Sequence, residues 1–456
     1  MEKHKQRIAK RVGWLAQILS ERFGVEFDYA IADGVSWISI PGSEGRIEFV
    51  CSKAFSAGAS PPGVRLWDPE REGWKAPLGA PIPMPGMDCV DGATIIERRS
   101  YGFRVLFDVI GFASWMLSRE EEIGATDLDE HGRFPATASH AFQHGYLERP
   151  VVDEWLEVVR QLAVQVWPGL PISMPRFSVE VSHDVDTPSR YAFTTPVQFA
   201  KVLVGDVIKR HQILNPFFAP YYRQYAKRSL HPRDPANTFD WIMDKSDAYR
   251  IRSAFYFICG RTDPTRDARY NLEDPAIREL LRRIHGRGHE IGLHCSYRSF
   301  QNPAVIEAEA RCLRRVCNEE GISQLSWGGR MHFLRWETPT TLLSLDAAGM
   351  AYDSSMTYAD RPGFRCGTCF EYPGFDPIGN RVLGVRVRPL IAMECTVMAP
   401  RYMGLGIGSS SLAMFMRLMQ ACRAVGGAFT LLWHNTELED TRKKKLYEAI
   451  LQGATD

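Results

Sequence analysis

Strand and helix patterns alternate along the second part of the chain, and this alternation constrains the fold more than any other feature. The short apolar runs "FSVEV" (177–181), "AFYFI" (254–258) and "AFTLL" (428–432) have the length and composition of buried strands. Longer amphipathic segments separate them. Such alternation is typical of parallel βαβ units, so we predict an α/β fold, either a closed barrel or a doubly wound sheet. In both, functional side chains collect at the carboxyl ends of the strands.

The first part of the chain has a different pattern. Residues 25–110 contain short strand-like runs separated by Gly/Pro-rich turns, and two helical patterns follow them. The Pro-rich stretch "PGLPISMP" (168–175) marks a boundary. We therefore predict two domains, a smaller N-terminal α+β domain over residues 1–170 and the domain of alternating strands and helices over residues 175–456.

Composition narrows the class of protein. A chain of 456 residues, 45% apolar and 24% charged, can bury a full core without disulfides. A formal net charge of +1 gives no indication of a nucleic-acid partner. Ten scattered cysteines are typical of a protein in a reducing compartment. The sequence contains no run of 18 apolar residues, so we predict no transmembrane helix. The N-terminus lacks the apolar core of a secretory signal. We expect a cytoplasmic protein.

Polar side chains lie where the predicted strands end. They are His183, Asp184, Asp186, His294, Arg330, His332 and His434. Residues two apart on a strand share a face, so Asp184 and Asp186 are predicted to point into the same opening at the carboxyl ends of the strands. His183 is predicted to point away from that opening. Carboxylate and imidazole ligands suit a divalent metal, most naturally zinc, with one position left for water.

Four segments resemble the NodB-type polysaccharide deacetylases in order and spacing. These are "SHDVD" (182–186), "GHEIGLHCS" (288–296), "GGRMHFLRW" (328–336) and "LLWHN" (431–435). The resemblance spans roughly residues 175–440. It implies a distorted (β/α) barrel, a divalent metal, and hydrolysis of an amide or ester on an acylated sugar. The N-terminal runs "MLSREEE" and "DEHGRFPA" resemble an accessory domain of some bacterial deacetylase-like proteins encoded with surface-polysaccharide genes.

The resemblance also assigns roles to individual residues. It implies that Asp184 is the general base, that Asp186 is a metal ligand, and that the guanidinium of Arg330 holds Asp184 bidentately. It implies that His434 is the general acid for the leaving amine, with Glu394 as its possible carboxylate partner.

The second motif of the family, His-x-x-x-His, is incomplete in this chain. His294 matches its first position, but the second is Arg298, which cannot bind a metal. Either another residue supplies the third ligand or the metal is absent. The best substitute is His332, which alternatively hydrogen-bonds the base or the substrate. His183 and His289 are weaker candidates.

These observations favour a metal-dependent deacylase that removes an N-acyl, acetyl-like group from an amino sugar of a bacterial surface polysaccharide or its precursor. The alternatives are a metal-free, non-catalytic protein that binds a glycan or a protein partner, and a cyclic-amide hydrolase of the same barrel class. A substrate at the inner membrane face is compatible with peripheral membrane contact. The aromatic and basic stretch "FFAPYYRQYAKR" (217–228) could bind a sugar or a lipid-linked carrier, or shield the barrel. The sequence leaves the oligomeric state open.

Overall fold

A computed structural model of the chain describes residues 2–55, 61–87, 94–173 and 175–454. The N-terminal part forms a five-stranded sheet in the order β1-β2-β3-β7-β6, a two-stranded ribbon of β4 and β5, and the helices that cover them. Its elements are α1 (Glu2–Phe23), β1 (Asp28–Ala32), β2 (Val35–Ser39), β3 (Arg46–Val50), β4 (Val64–Trp67), β5 (Ile82–Pro85), β6 (Ile96–Arg99), β7 (Gly102–Val105), α2 (Val109–Leu117), α3 (His140–Gln143) and α4 (Val151–Val166).

The second part is built on one long sheet flanked by helices. Its elements are β8 (Ser178–Val185), α5 (Pro196–Ile208), α6 (Asn215–Tyr225), α7 (Phe239–Ala248), β9 (Ala254–Ile258), α8 (Pro275–Gly286), β10 (Glu290–Cys295), α9 (Pro303–Glu319), β11 (Gly328–Met331), α10 (Thr340–Ala347), β12 (Tyr352–Asp353), β13 (Tyr372–Asp376), β14 (Arg381–Val387), β15 (Ala392–Met393), α11 (Glu394–Met398), α12 (Ser409–Ala424), β16 (Ala428–Leu432) and α13 (Thr441–Gly453).

The nine strands of this sheet follow the order β13-β14-β12-β11-β10-β9-β8-β16-β15. Each neighbouring pair is parallel except β13 and β14. The sheet curls into a half barrel, and no ladder joins β13 to β15 within the described ranges. The predicted α/β fold of the distorted-barrel type, with a smaller α+β part before it, is therefore confirmed.

Local chemistry explains where the helices begin. Thr195 and Gln198 form a capping box at the start of α5, with Pro196 in the first turn. At the start of α9 the side chain of Asn302 accepts a hydrogen bond from the backbone N–H of Val305, and Pro303 follows it. By contrast, all five residues of β9 are apolar or aromatic and buried, as expected for a strand covered on both faces.

The hydrophobic core continues from the first sheet to the second. The ring of Trp14 on α1 stacks on Phe375 of β13 with centroids 4.5 Å apart, and its indole N–H donates to the Pro373 carbonyl. A buried ion pair joins Glu122 to Arg365 through two hydrogen bonds of 2.8 Å. Helix α1 therefore packs against both sheets. Among the described residues, no helix has both the length and the apolar character required to cross a bilayer.

Candidate metal centre and catalytic pocket

The predicted site residues converge at the carboxyl ends of adjacent strands. Asp184 is on β8, and Asp186 lies just beyond that strand. His294 on β10 is paired in the parallel ladder with Arg330 on β11. His434 lies two residues after the end of β16, the strand next to β8. The parallel order of the sheet therefore brings distant segments of the chain together in one pocket at the carboxyl ends of the strands.

Three of these residues form a candidate metal centre. Oδ1 of Asp186 lies 3.4 Å from Nε2 of His294 and 3.6 Å from Nε2 of His332. One ligand atom from each of the three residues lies within 4.8 Å of the others. Asp186 Oδ1 is buried and accepts no hydrogen bond, which is costly for a carboxylate oxygen unless a cation is nearby. The donor set of one carboxylate and two imidazoles fits a divalent metal such as zinc.

Both histidines are held by hydrogen bonds on the side away from Asp186. Nδ1 of His294 lies 3.0 Å from the carbonyl oxygen of Arg330, so it must carry the proton and donate it. Nδ1 of His332 lies 3.0 Å from Oδ1 of Asp267. Such partners fix the ring orientation and leave Nε2 free for a metal.

Asp267 is a functional candidate that no sequence motif predicts. It lies in the loop after β9, where no periodic pattern marks it. The backbone N–H groups of Asp263 and Tyr297 each donate to its carboxylate at 2.7 Å. Although burial favours its neutral form, these bonds and His332 lower its pKa. Asp267 is therefore available as an ionised partner for His332.

A buried ion pair next to the metal centre joins Asp184 to Arg330. Nη1 of Arg330 donates to Oδ1 of Asp184 at 2.8 Å, and both side chains are buried. Nε and Nη2 of Arg330 instead donate to the backbone carbonyl and hydroxyl of Ser354. The bidentate contact predicted between these residues is therefore wrong: a single bond joins them. Burial alone would raise the pKa of Asp184, but the positive charges of Arg330, His294 and His434 together lower it.

On the opposite side of the pocket, His434 is paired with Glu394. Nδ1 of His434 lies 2.5 Å from Oε1 of Glu394, which is fully buried. Nε2 of His434 faces the pocket, 3.8 Å from Oδ2 of Asp186. Burial opposes the charged imidazole, but the Glu394 carboxylate raises the pKa of His434 well above its ordinary value. This pair therefore presents a protonated imidazole to the pocket.

The remaining candidates lie outside the pocket. Arg298 is exposed and forms an ion pair with Asp263, with Nη2 and Oδ2 3.1 Å apart. His183 directs Nδ1 to the carbonyl of Trp433 at 2.7 Å. His289 lies 3.4 Å from Asp247 on the far side of the sheet. Of the alternatives weighed for a third ligand, the structure brings only His332 to Asp186 and His294.

The N-terminal part of the chain contributes to the rim of the pocket. Immediately after His332, Phe333 and Leu334 adopt left-handed backbone angles, with φ of 59° and 56°, which is unfavourable for such residues. Nη1 of Arg133 donates to the Phe333 carbonyl at 2.8 Å, and Nε of Arg335 donates to the His131 carbonyl at 2.7 Å. These contacts across the two parts support the strained turn that positions His332.

The pocket continues into larger cavities. The part around the candidate metal centre has a volume of about 230 Å³, and its lining includes Arg133 and Arg401. A second cavity of about 480 Å³ shares Asp186 and Thr436 with it. A second, larger chamber therefore adjoins the candidate metal centre.

Comparison with known proteins gives partial matches. Residues 79–168 match a family model described as a family of unknown function (DUF7033). No curated protein matches the chain.

Three solved structures are similar to part of the chain. A protein described as a polysaccharide deacetylase from Mycobacterium smegmatis has a TM-score of 0.38 and 15% identity, over 61% of this chain and 84% of its own. Another, from Pseudomonas aeruginosa PAO1, has a TM-score of 0.34 and 13% identity, over 61% of this chain and 83% of its own. Puue allantoinase has a TM-score of 0.34 and 13% identity, over 61% of this chain and 84% of its own. The functional assignment therefore rests on the side chains of the pocket.

Proposed function

We propose that the protein is a metal-dependent deacylase that hydrolyses an N-acyl group on an amino sugar of a bacterial surface polysaccharide or its precursor. The observation that carries the proposal is the cluster of half-buried Asp186 with buried His294 and His332, in which a buried, unpartnered carboxylate oxygen faces two imidazole nitrogens. The pair of Asp184 and Arg330 lies directly beside it. Zinc is the metal that this donor set suits best.

Asp186, His294 and His332 would hold the metal. When bound, a divalent cation supplies a Lewis acid for the amide carbonyl and lowers the pKa of water. Asp184 is the group that accepts the proton of the attacking water, because Arg330 keeps its carboxylate ionised and oriented.

His434 is placed to stabilise the oxyanion and to protonate the leaving nitrogen. Its Nε2 faces the pocket, and the buried carboxylate of Glu394 keeps the ring protonated. The imidazolium can donate a hydrogen bond to the oxyanion that develops on the carbonyl oxygen. It can then give its proton to the leaving nitrogen, so that an amine departs instead of an amide anion.

The test is metal analysis combined with release of free acid from acylated nucleotide sugars. Protein purified without chelators should contain about one zinc or similar ion per chain. Asp186→Ala, His294→Ala and His332→Gln should lose both metal and activity. Arg298→Ala is the matched control, since its side chain is exposed outside the pocket, and it should retain both.

The proposal fails if the protein stays metal-free after incubation with zinc and the ligand variants behave like the parent chain. That result would favour a non-catalytic protein that binds a glycan or a protein partner. A metal-loaded protein inactive on acylated sugars but active on a cyclic amide would favour the alternative hydrolase. For the favoured reaction we place the substrate in the cytoplasm or at the inner membrane face.

A further inference from the structure

A helical hairpin formed by α5 and α6 is inserted between β8 and β9, beside the second cavity. Its inward faces pack on each other through a small apolar cluster centred on Tyr191, Ala219 and Tyr222. Asp206, on the inward face of α5, is fully buried and accepts hydrogen bonds from Arg190 and the hydroxyl of Tyr191. The hairpin is therefore anchored to the rest of the chain from one side.

The outward faces of both helices are also apolar. Among the described residues, 10 of the 18 exposed large hydrophobic side chains lie within residues 197–225. They are Val197, Val204, Val207, Ile208, Ile213, Leu214, Phe217, Phe218, Tyr221 and Tyr225. On α5, Val197, Val204 and Ile208 are spaced as neighbours on one face. Phe217 is 80% exposed and Ile208 is 67% exposed. A contiguous apolar surface of this kind marks an interaction site.

The charges around this apolar face have one sign. Between residues 192 and 233 the chain has seven lysines and arginines, and its single acidic residue is Asp206. Because Asp206 is buried and paired, it contributes no negative charge to the surface. Lys201, Lys209, Lys227 and Arg228 are all exposed. Basic residues bordering an outward apolar helix face are the pattern of helices that lie in the interface of an anionic bilayer.

The hairpin is connected to the candidate active site. A groove of about 380 Å³ along α5 is lined by Lys201, Ile208 and Arg269, among others. This groove and the cavity of about 480 Å³ share Val202, Arg210 and Arg269. The larger cavity in turn reaches Asp186. The groove along the hairpin therefore adjoins a cavity that borders the catalytic pocket.

We propose that the α5–α6 hairpin docks the protein on the surface of a lipid bilayer that contains anionic lipids. The charge pattern favours this partner over a second copy of the chain. A twofold interface through the same face would bring the lysines and arginines of both copies together. An anionic headgroup layer neutralises them while the acyl boundary takes up the aromatic rings. This docking is independent of the proposed deacylase activity.

The experiment is co-sedimentation of the full chain with vesicles. We expect binding to vesicles of phosphatidylglycerol mixed with phosphatidylcholine, weaker binding to phosphatidylcholine alone, and release by added salt. Ile208→Ser/Phe217→Ser and Lys201→Glu/Lys209→Glu should each weaken binding at least about tenfold. The matched control is Leu66→Ser/Leu325→Ser, which removes two exposed apolar side chains elsewhere and should bind like the parent chain.

Absence of vesicle binding by the parent chain would overturn the proposal, as would equal binding by the hairpin variants. A concentration-dependent dimer in light scattering that the hairpin variants abolish, without any vesicle binding, would assign the face to a second copy and also overturn it. Circular dichroism of each variant checks that the fold is intact. Because the readout is lipid binding alone, an inactive protein can still support the inference.

Discussion

Charged side chains fill the catalytic pocket from within the curled sheet, whereas the α5–α6 hairpin turns aromatic and aliphatic side chains toward solvent. Both arrangements cost free energy relative to ordinary burial. In the pocket, partners from the same chain offset the cost: Arg330 for Asp184, Asp267 for His332 and Glu394 for His434. The outward face of the hairpin has no comparable apolar cover among the described residues. The charged side chains of the pocket are thus largely partnered on folding, whereas the apolar side chains on the outward face of the hairpin stay exposed to solvent.

The largest expected effect comes from Asp184→Asn in the pocket. An amide cannot accept the proton of the attacking water, so acid release should fall at least about 10³-fold. Bound zinc should stay near the level of the parent chain, because Asp184 is not one of the three ligands. Both the bound zinc and the rate of acid release should be measured on the same preparation. A rate within a few-fold of the parent would remove Asp184 from the reaction.

Arg330→Met tests whether the pocket depends on partners within the chain. Removing the cation leaves the buried carboxylate of Asp184 unpaired, which should cost about 3–5 kcal/mol of unfolding free energy. Urea unfolding measures this loss. In the double variant Arg330→Met/Asp184→Asn, part of the stability should return, because the uncompensated charge is gone. If the loss of unfolding free energy in the double variant equalled the sum of the losses in the two single variants, the broken ion pair would not be the cause of the instability of Arg330→Met.

Glu309 provides a buried carboxylate outside the pocket for comparison. Burial raises its pKa to about 7 from 4.5, although Ser296 donates to it. A raised pKa means that the folded state holds the proton more tightly. The unfolding free energy should therefore fall by about 3 kcal/mol between pH 4.5 and 7, and stay level above that. In Glu309→Gln this contribution disappears, and a flatter pH profile of urea unfolding would show it. An unchanged profile would mean that Glu309 does not titrate in this range.

The smallest expected effect is that of Phe217→Ser on stability. Since the ring is 80% exposed, its removal should change the unfolding free energy by no more than about 0.5 kcal/mol. Tyr222→Ser is the matched control on the same helix, and loss of its buried ring should cost several-fold more. Thermal unfolding of both variants makes the comparison. A large loss in Phe217→Ser would indicate that the ring already packs within the chain.

Much of the fold follows from the sequence, because parallel strands buried on both faces have a distinctive pattern. The apolar runs at 177–181, 254–258 and 428–432 correspond to β8, β9 and β16. Alternation of side chains also separates Asp184, which faces the pocket, from His183, which does not. These are consequences of local geometry, and sequence reasoning has access to them.

Strand alternation does not explain the position of His332. The strand that contains Arg330, β11, ends at Met331, so His332 lies beyond it. A left-handed turn at Phe333 and a hydrogen bond from Arg133 support the position of the ring instead. Such a turn depends on contacts between distant parts of the chain, which no local pattern contains.

The stacking of Trp14 on Phe375 has a consequence for how the protein is made. The indole of Trp14 donates to the carbonyl of Pro373, 359 residues later in the chain. During synthesis on the ribosome, α1 emerges long before β13 has been synthesised. Until then, part of the apolar face of α1, including the indole of Trp14, remains exposed to solvent. We expect nascent chains that end before residue 376 to depend on chaperones. In the full-length chain, we expect the contact between Trp14 and Phe375 to form in one of the last folding steps.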